Sequence, residues 1–462
     1  MSLDTLDSIF KAYDIRGTVP DQLDAELCRR IGAAFARFAD ADRLLVARDM
    51  RPSGEELAAA FADGAMGQGV DVVDLGLAST DLLYFAAGHL DAAAAVFTAS
   101  HNPPEYNGIK LCLPGAKPVG QDTGLAQIKE WTAEGMAAGE GPRGSLTEQD
   151  LIGLYADHVR SFVDAKALRP LRLVADTANG MGGLVAPAVF EGLPFEVDYL
   201  FPELDGTFPN HPPDPIQLEN LRDLQAAVRE RGADVGLAFD GDADRVFLVD
   251  ENAAPVSGSL TTALVATGML AKNPGATILH NLICSKAVPE VILEHGGKPV
   301  RTRVGHSFIK QTMAETGAVF GGEHSGHYYF RDNYRADSGL VAALIVLEQI
   351  SVAGVPLSEL VAPLDRYSAS GEVNSRVDDP PAVIERVADH FSGADQDRLD
   401  GLTVDHGSWW FNLRPSNTEP LLRLNLEADT DEACQAHTDE VLALIRQPDG
   451  GPSGDRQGDE EA

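Results

Sequence analysis

The sequence predicts an α/β protein: three similar α/β domains with mixed, mostly parallel sheets, then a smaller C-terminal α+β domain. Three observations carry this. Short apolar runs alternate with helix-length segments and Gly-punctuated turns, the pattern of parallel α/β units. The same layout occurs three times, each time ending in a polar loop. The last part of the chain changes to closely spaced strands and one amphipathic helix. At about 150 residues per domain, 462 residues suit three domains or four small ones.

In the first stretch LLVA (44–47), VDVVDL (70–75) and AAAVFT (93–98) read as strands, with a helix over 55–67 and a second apolar helix after 75. The second has strands at 171–175, 195–200 and 234–239 and a turn at 179–183. The third has strands at 277–280, 300–304 and 318–320 and a helix over 287–295. The remainder has strands at 402–404, 409–413 and 421–426 and a helix over 431–446. The expected domains are 1–147, 148–254, 255–366 and 367–446. The tail 447–462 has no large apolar side chain to bury, so it is expected to be disordered. Residues 135–145, rich in Gly and Ala, are a linker candidate.

Composition narrows the class. A hydrophobic fraction of 44% and a charged fraction of 23% are ordinary for a soluble globular protein. The charge is not: 36 Lys+Arg against 71 Asp+Glu gives −35. That field disfavours nucleic acid and anionic membranes as partners, yet leaves room for a small anionic substrate at a local cluster of cations. Cys28, Cys112, Cys284 and Cys434 lie far apart, with no CxxC pair, and read as reduced thiols. The first residues are not a signal peptide, and no apolar run is long enough for a membrane span. A cytoplasmic monomer or homodimer is the expectation.

In open parallel sheets ligands bind beyond the carboxyl ends of strands. Three polar loops occupy those ends here, which suggests one composite site. FDGDADR (239–245) sets Asp240, Asp242 and Asp244 at alternate positions. Clustered carboxylates repel unless a cation sits among them, and oxygen-only ligands suit Mg²⁺. A solvated acidic turn is the alternative. A calcium EF-hand is another, and Glu251 even stands at the twelfth position. Against it, Arg245 stands where that loop needs Gly, and the flanks look like strands rather than helices.

TASHNPPEYNGIK (98–110) offers the Ser100 hydroxyl, bracketed by His101 and Asn102, with Lys110 downstream. It lacks the G-x-S-x-G elbow of a Ser-His hydrolase. Alone it could be a polar turn; paired with a metal loop, Ser100 becomes a candidate phosphoryl carrier. GGEHSGH (321–327) places Glu323, Ser325 and His327 on one Gly-rich loop, suited to sugar hydroxyls and, through His327, to proton transfer. A glycine hinge with incidental polar residues is its bland reading. His306 in RVGHS is a site member or a capped turn. RPSNTEP (414–420) combines Arg414, Ser416, Asn417 and Thr418 into a phosphate nest or a tight surface turn. Arg16 in YDIRG and Arg245 could add anion contacts. Arg423 points toward the nest or into solvent.

Together, YDIRG, TASHNPPEYNGIK, FDGDADR, GEHSGH and RPSNTEP, in this order, resemble the α-D-phosphohexomutase family over almost the whole chain. The resemblance implies four domains around a deep central cleft, a phosphoserine at Ser100, and Mg²⁺ held by Ser100, Asp240, Asp242 and Asp244. It implies proton transfer by Lys110 and His327, with His101 and Arg16 beside them. Sugar-hydroxyl contacts are implied at Glu323 and Ser325, and phosphate contacts at Arg414, Ser416, Asn417 and Thr418. Lys286 is a further candidate phosphate contact. The loops look most like the phosphomannomutase/phosphoglucomutase branch; phosphoglucosamine mutases usually carry Gly where Asn417 stands. His324, between two sugar contacts, is the one candidate for reading the 2-hydroxyl. The implied activity interconverts hexose 1-phosphate and hexose 6-phosphate through a hexose 1,6-bisphosphate. Mannose phosphate is the expected substrate, with some glucose phosphate activity. Phosphoglucosamine mutase and phosphoglucomutase are alternatives. A metal-dependent phosphatase and a non-catalytic sugar-phosphate-binding module are the rivals from other classes.

Overall fold

Apolar runs of five or six residues suit strands covered by helices on both faces, where side chains need not alternate between core and solvent. The computed structural model describes residues 3–137, 139, 141–415 and 421–447, the side chains of residues 3–5 and 306 excepted. It divides into two units, Met1–Asp365 and Arg366–Ala462. The first contains three sheets built on one plan. In the first sheet, Arg43–Arg48 is central, with Asp71–Leu77 parallel on one side and Ala93–Phe97 parallel on the other. Tyr106–Leu113 then returns antiparallel beside Ala93–Phe97. In the second, Leu171–Asp176 lies between the parallel strands Phe195–Leu200 and Val235–Phe239, and Val246–Val249 returns antiparallel. In the third, Thr277–Asn281 lies between Lys298–Thr302 and Phe320–Gly322, and Tyr328–Phe330 returns antiparallel. The repeat expected from layout is therefore a repeat of topology.

Shorter strands extend the first two sheets. Ile15–Thr18 and Lys117–Pro118 pair antiparallel with Tyr106–Leu113, Leu146–Glu148 lies parallel to Asp71–Leu77, and Pro255–Val256 pairs antiparallel with Val246–Val249. In all three sheets the turn from the third parallel strand to the returning strand carries one of the polar loops. The expected strand at 300–304 lies instead at Lys298–Thr302, because the chain must turn at Gly305. The linker candidate is packed. Gly139 N donates to Gly67 O and Gly144 N to Met66 O, and Gly144 lies so close to Val70 that a Cβ would meet its carbonyl oxygen at 2.0 Å.

Three helices begin with serine caps whose side chains accept backbone N–H groups: Ser79 from Leu82, Ser257 from Leu260, and Ser338 from Val341. Each such cap contributes about 1 kcal/mol. The last of these helices, Gly339–Ala353, is buried from Leu340 to Leu347. Its core is shared: one hydrophobic cluster runs from Leu45 and Leu82 through Tyr155 and Leu237 to Phe320 and Ile345. Within this junction Asp81 is fully buried and accepts hydrogen bonds from Ser79, Tyr155 and Ser338. Burial pushes its carboxyl up to about 7 even against those three bonds.

The second unit is a five-stranded antiparallel sheet in the order Ser368–Arg376, Leu421–Ala428, Trp409–Pro415, Leu402–Asp405, Asp395–Asp397. Helices Pro380–His390 and Asp431–Ile445 supply Val387 and Val441 to a core with Phe411 and Leu424. This is the expected α+β unit, enlarged by two polar strands and one helix. The tail from 448 onward lies outside the described residues. Among the described residues no helix is long and apolar enough to cross a membrane.

Candidate active site

The first polar loop leaves Ala93–Phe97 and turns sharply at Ser100, whose φ of 47° is left-handed. That conformation costs a non-glycine residue roughly 1–2 kcal/mol, so it persists only where the surroundings impose it. Ser100 N donates to Thr98 Oγ1 at 2.9 Å, and its hydroxyl donates to Asp240 Oδ2 at 2.7 Å. His101 Nδ1 lies 3.2 Å from the same hydroxyl. His101 is exposed to solvent on one side. Desolvation by the surrounding protein, then the nearby charges of Arg245 and Arg16, lower its imidazole from the usual range. Arg16 is tied to the loop through Asn102, at 2.6 Å.

Asp240, Asp242 and Asp244 lie between the strands Val235–Phe239 and Val246–Val249, which removes the EF-hand alternative. All three are buried, with carboxylate oxygens within 4.8 Å of one another. Two elements converge on them, and Arg245 closes the same turn. Thr80, at the start of helix Thr80–His89, donates its N–H to Asp242 O at 3.1 Å and its hydroxyl to Asp242 Oδ2 at 2.5 Å. Lys110, on strand Tyr106–Leu113, donates to Asp242 Oδ2 at 2.7 Å and Asp244 Oδ2 at 2.8 Å. Arg245 Nε binds Asp240 Oδ2 at 2.9 Å.

Burial pushes all three carboxyls up. At Asp242 the adjacent Lys110 charge and the bonds from Lys110 and Thr80 overcome it, and the group is held below the usual carboxylate range. Asp240 stays well above that range despite Arg245, and Asp244 stays raised with Asp242 beside it. Lys110, which burial would discharge, is kept a cation by Asp242 and Asp244. The donor set fits a hard divalent ion. Three carboxylates meet, and Asp242 Oδ1 and Asp244 Oδ1 are buried without a hydrogen-bond partner among the described residues.

The third loop joins them directly. Arg245 and His327 form an isolated antiparallel bridge, so the second and third domains touch through backbone at the site. His327 Nδ1 is 2.9 Å from Ser325 Oγ, while Nε2 faces Asp244 Oδ1 at 3.8 Å. Asp337 lies in the same carboxylate–imidazole cluster, with Lys310 at 3.3 Å. Glu323 is buried. Its Oε1 accepts from Asn281 Nδ2 and Gly305 N, each at 3.2 Å, and its Oε2 from Tyr329 at 2.8 Å. It thereby fixes the loop that leads into His306, whose own side chain lies outside the described residues. Lys286 follows strand Thr277–Asn281, whose Asn281 holds Glu323. His324 is turned to Ser259, at 2.9 Å from its Oγ.

In the second unit Arg414 and Arg423 face each other on neighbouring strands. Both hold Glu372, at 3.0 and 3.2 Å. Asp400 adds a second nearby carboxylate to Arg414. Ser416, Asn417 and Thr418 lie outside the described residues. Thr80, Asp337, Lys310 and Tyr329 were not singled out by sequence. The partners of Thr80, Lys310 and Asp337 are far away in the chain, and although Tyr329 binds the nearby Glu323, no local pattern marks it.

Four family descriptions match the chain in order: phosphoglucomutase/phosphomannomutase alpha/beta/alpha domain I over residues 7–138, domain II over 154–254, domain III over 257–367, and the C-terminal domain over 372–444. A Xanthomonas campestris relative named for phosphohexose mutases is 42% identical, over 95% of this chain and 99% of its own. An Escherichia coli phosphomannomutase is 40% identical, over 95% and 99%. A Burkholderia thailandensis crystal structure of a phosphoglucomutase/phosphomannomutase family protein superposes with a TM-score of 0.86 at 34% identity, over 96% of this chain and 98% of that one.

Proposed function

The chain belongs to the phosphoglucomutase/phosphomannomutase family and is a phosphohexose mutase; from that premise we propose that it interconverts mannose 1-phosphate and mannose 6-phosphate, with glucose phosphates as second substrates, through a phosphorylated Ser100. The observation that carries the reading is the Ser100 hydroxyl at 2.7 Å from Asp240, with Lys110 and His327 on the far carboxylates of the same trio. Phosphorylated Ser100 gives its phosphoryl group to the 6-hydroxyl of a hexose 1-phosphate: the P–O bond to serine breaks as the bond to O6 forms. The 6-hydroxyl gives its proton to His327, and the departing Ser100 oxygen takes one from the Lys110 ammonium, which Asp242 and Asp244 keep charged; in the return half-reaction both protons move back. The resulting 1,6-bisphosphate turns over, and Ser100 takes back the phosphoryl group from O1. Asp240, Asp242 and Asp244, with an oxygen on Ser100, would hold Mg²⁺, which when bound neutralises charge on the transferring group. His101 and Arg16 support the serine loop. Arg245 balances Asp240.

Recognition follows from chemistry and resemblance. Glu323 and Ser325 are assigned to the sugar hydroxyls, with His306 and Lys286 beside them. Arg414, Ser416, Asn417 and Thr418 are assigned to the non-reacting phosphate, with Arg423 beside Arg414. The domain limits 1–147, 148–254, 255–366 and 367–446 go with this division of labour. A reducing cytoplasm suits the four unpaired, buried cysteines.

Two results test recognition. Arg414→Ala should raise KM for the sugar 1-phosphate by roughly tenfold to a hundredfold, as loss of one charge-assisted phosphate contact implies. It should also let bisphosphate escape in single-turnover experiments; unchanged KM and no leak would remove Arg414 from the site. Mannose and glucose 1-phosphates should both turn over. They differ only at the 2-hydroxyl, Glu323 and Ser325 are assigned to positions the sugars share, and His324 is engaged with Ser259. Discrimination by unpaired buried polar groups can exceed about 10⁴. A ratio of kcat/KM beyond that, measured in one buffer with saturating bisphosphate, would contradict the dual-substrate reading.

A further inference from the structure

Arg51 has no exposed side-chain surface, although it sits just beyond the strand Arg43–Arg48 in a polar turn. Its guanidinium faces the inside of the serine loop. Nη1 donates to Pro103 O at 2.7 Å and Tyr106 O at 2.8 Å, and Nη2 to Ser100 O at 2.9 Å and Asn102 O at 2.6 Å. The remaining donor, Nε, faces Asp49 Oδ2 at 3.3 Å. Four of the five donors of the planar fork thus hydrogen-bond to carbonyls of one loop, while Nε is left with the ion-pair contact alone. Those carbonyls point inward together and repel one another unless a cation lies among them.

The same residue is wedged from the second domain. Phe208 packs on the guanidinium at 5.2 Å, and Gly206 approaches so closely that a Cβ would lie 2.6 Å from Arg51 Cα. Gly241 in the carboxylate turn would, with a Cβ, meet Ser100 O at 2.4 Å. The left-handed Ser100 therefore has both Arg51 and the carboxylate turn packed against its carbonyl oxygen.

We propose that Arg51 is the positioning residue of the phosphoryl carrier: its four bonds to the loop carbonyls preset the Ser100 hydroxyl against the Asp240–Asp242–Asp244 trio. This rests on Ser100 being the carrier. Arg51 touches no reacting atom and acts only through the loop. A lysine offers three donors at one point and cannot reach four carbonyls spread around a plane. A misplacement of about 1 Å at a reacting group can cost about 10² in rate.

The test uses the full-length enzyme and Arg51→Lys. Circular dichroism should be unchanged. Amide exchange in the peptide spanning 98–108 should accelerate at least tenfold, with helix Gly339–Ala353 unaffected. With mannose 1-phosphate as substrate, kcat should fall about a hundredfold while KM stays within threefold. Wild-type kcat, a loss confined to KM, or exchange that accelerates equally throughout the protein would overturn the proposal. If the variant does not fold, the wild type decides. Exchange over 98–108 should be alike with and without saturating glucose 1,6-bisphosphate, because the loop is held in advance; a tenfold slowing on binding would overturn it. Loss of the carrier reading is separable: it shows as full activity in Ser100→Ala, whereas the exchange results bear on Arg51 alone.

Discussion

Ser100→Ala should lose nearly all turnover, by at least about 10⁴-fold, while keeping its fold. Removal of a covalent nucleophile elsewhere costs as much or more, because the residual rate comes only from binding and electrostatics. The fold should survive because the hydroxyl's partners are only Asp240 at 2.7 Å and His101 at 3.2 Å, each bond worth about 1 kcal/mol net, and Asp240 keeps Arg245 at 2.9 Å. Alanine also tolerates the left-handed φ of 47° about as well as serine does. Intact mass should show one phosphate on the wild type after incubation with hexose 1,6-bisphosphate and none on the variant. A variant with full activity would assign the carrier to another group.

Asp242→Asn should slow transfer by several orders of magnitude and abolish stabilisation by Mg²⁺. Asp242 is the carboxylate most firmly kept ionised, by Lys110 at 2.7 Å, and it presents a second oxygen with no hydrogen-bond partner among the described residues. Asparagine halves that acceptor set and removes the charge. In the wild type, Mg²⁺ at a hundred times its Kd should stabilise the fold by about 2.7 kcal/mol through mass action, visible as a rise in Tm. The variant should show no such rise. A wild type whose turnover survives exhaustive chelation would contradict the metal assignment.

Much of this was legible in the sequence because buried parallel strands announce themselves. VGLAF and AAAVF are continuous apolar runs, and the loops after them carry Asp, Ser, His and Glu in patterns with a chemical reading. Lys110 was legible as a residue but not as part of a strand: YNGIKLCL begins with turn formers, and its pairing with Ile15–Thr18 is set 90 residues away. Strand Ser368–Arg376 is polar because most of it is exposed or half-buried, so no apolar run marks it. Residues 135–145 looked like a linker because glycine signals both freedom and close approach; only the packing against Met66, Gly67 and Val70 separates the two. Thr80 and Arg51 were invisible for a related reason. A threonine at a helix start and an arginine in a turn are ordinary, and their roles lie in partners 162 and about 50 residues distant.

Transfer of label settles whether the phosphoryl group passes through this loop. The enzyme is incubated with hexose 1,6-bisphosphate carrying radiolabelled phosphate, freed of small molecules, digested and mapped. The label should lie on Ser100 alone, at close to one per chain. Unlabelled mannose 1-phosphate should chase it entirely into sugar phosphate at a rate no slower than kcat. Label on any other residue, no label on an enzyme that still turns over, or a chase that ends in inorganic phosphate would contradict a Ser100 carrier held against the three aspartates.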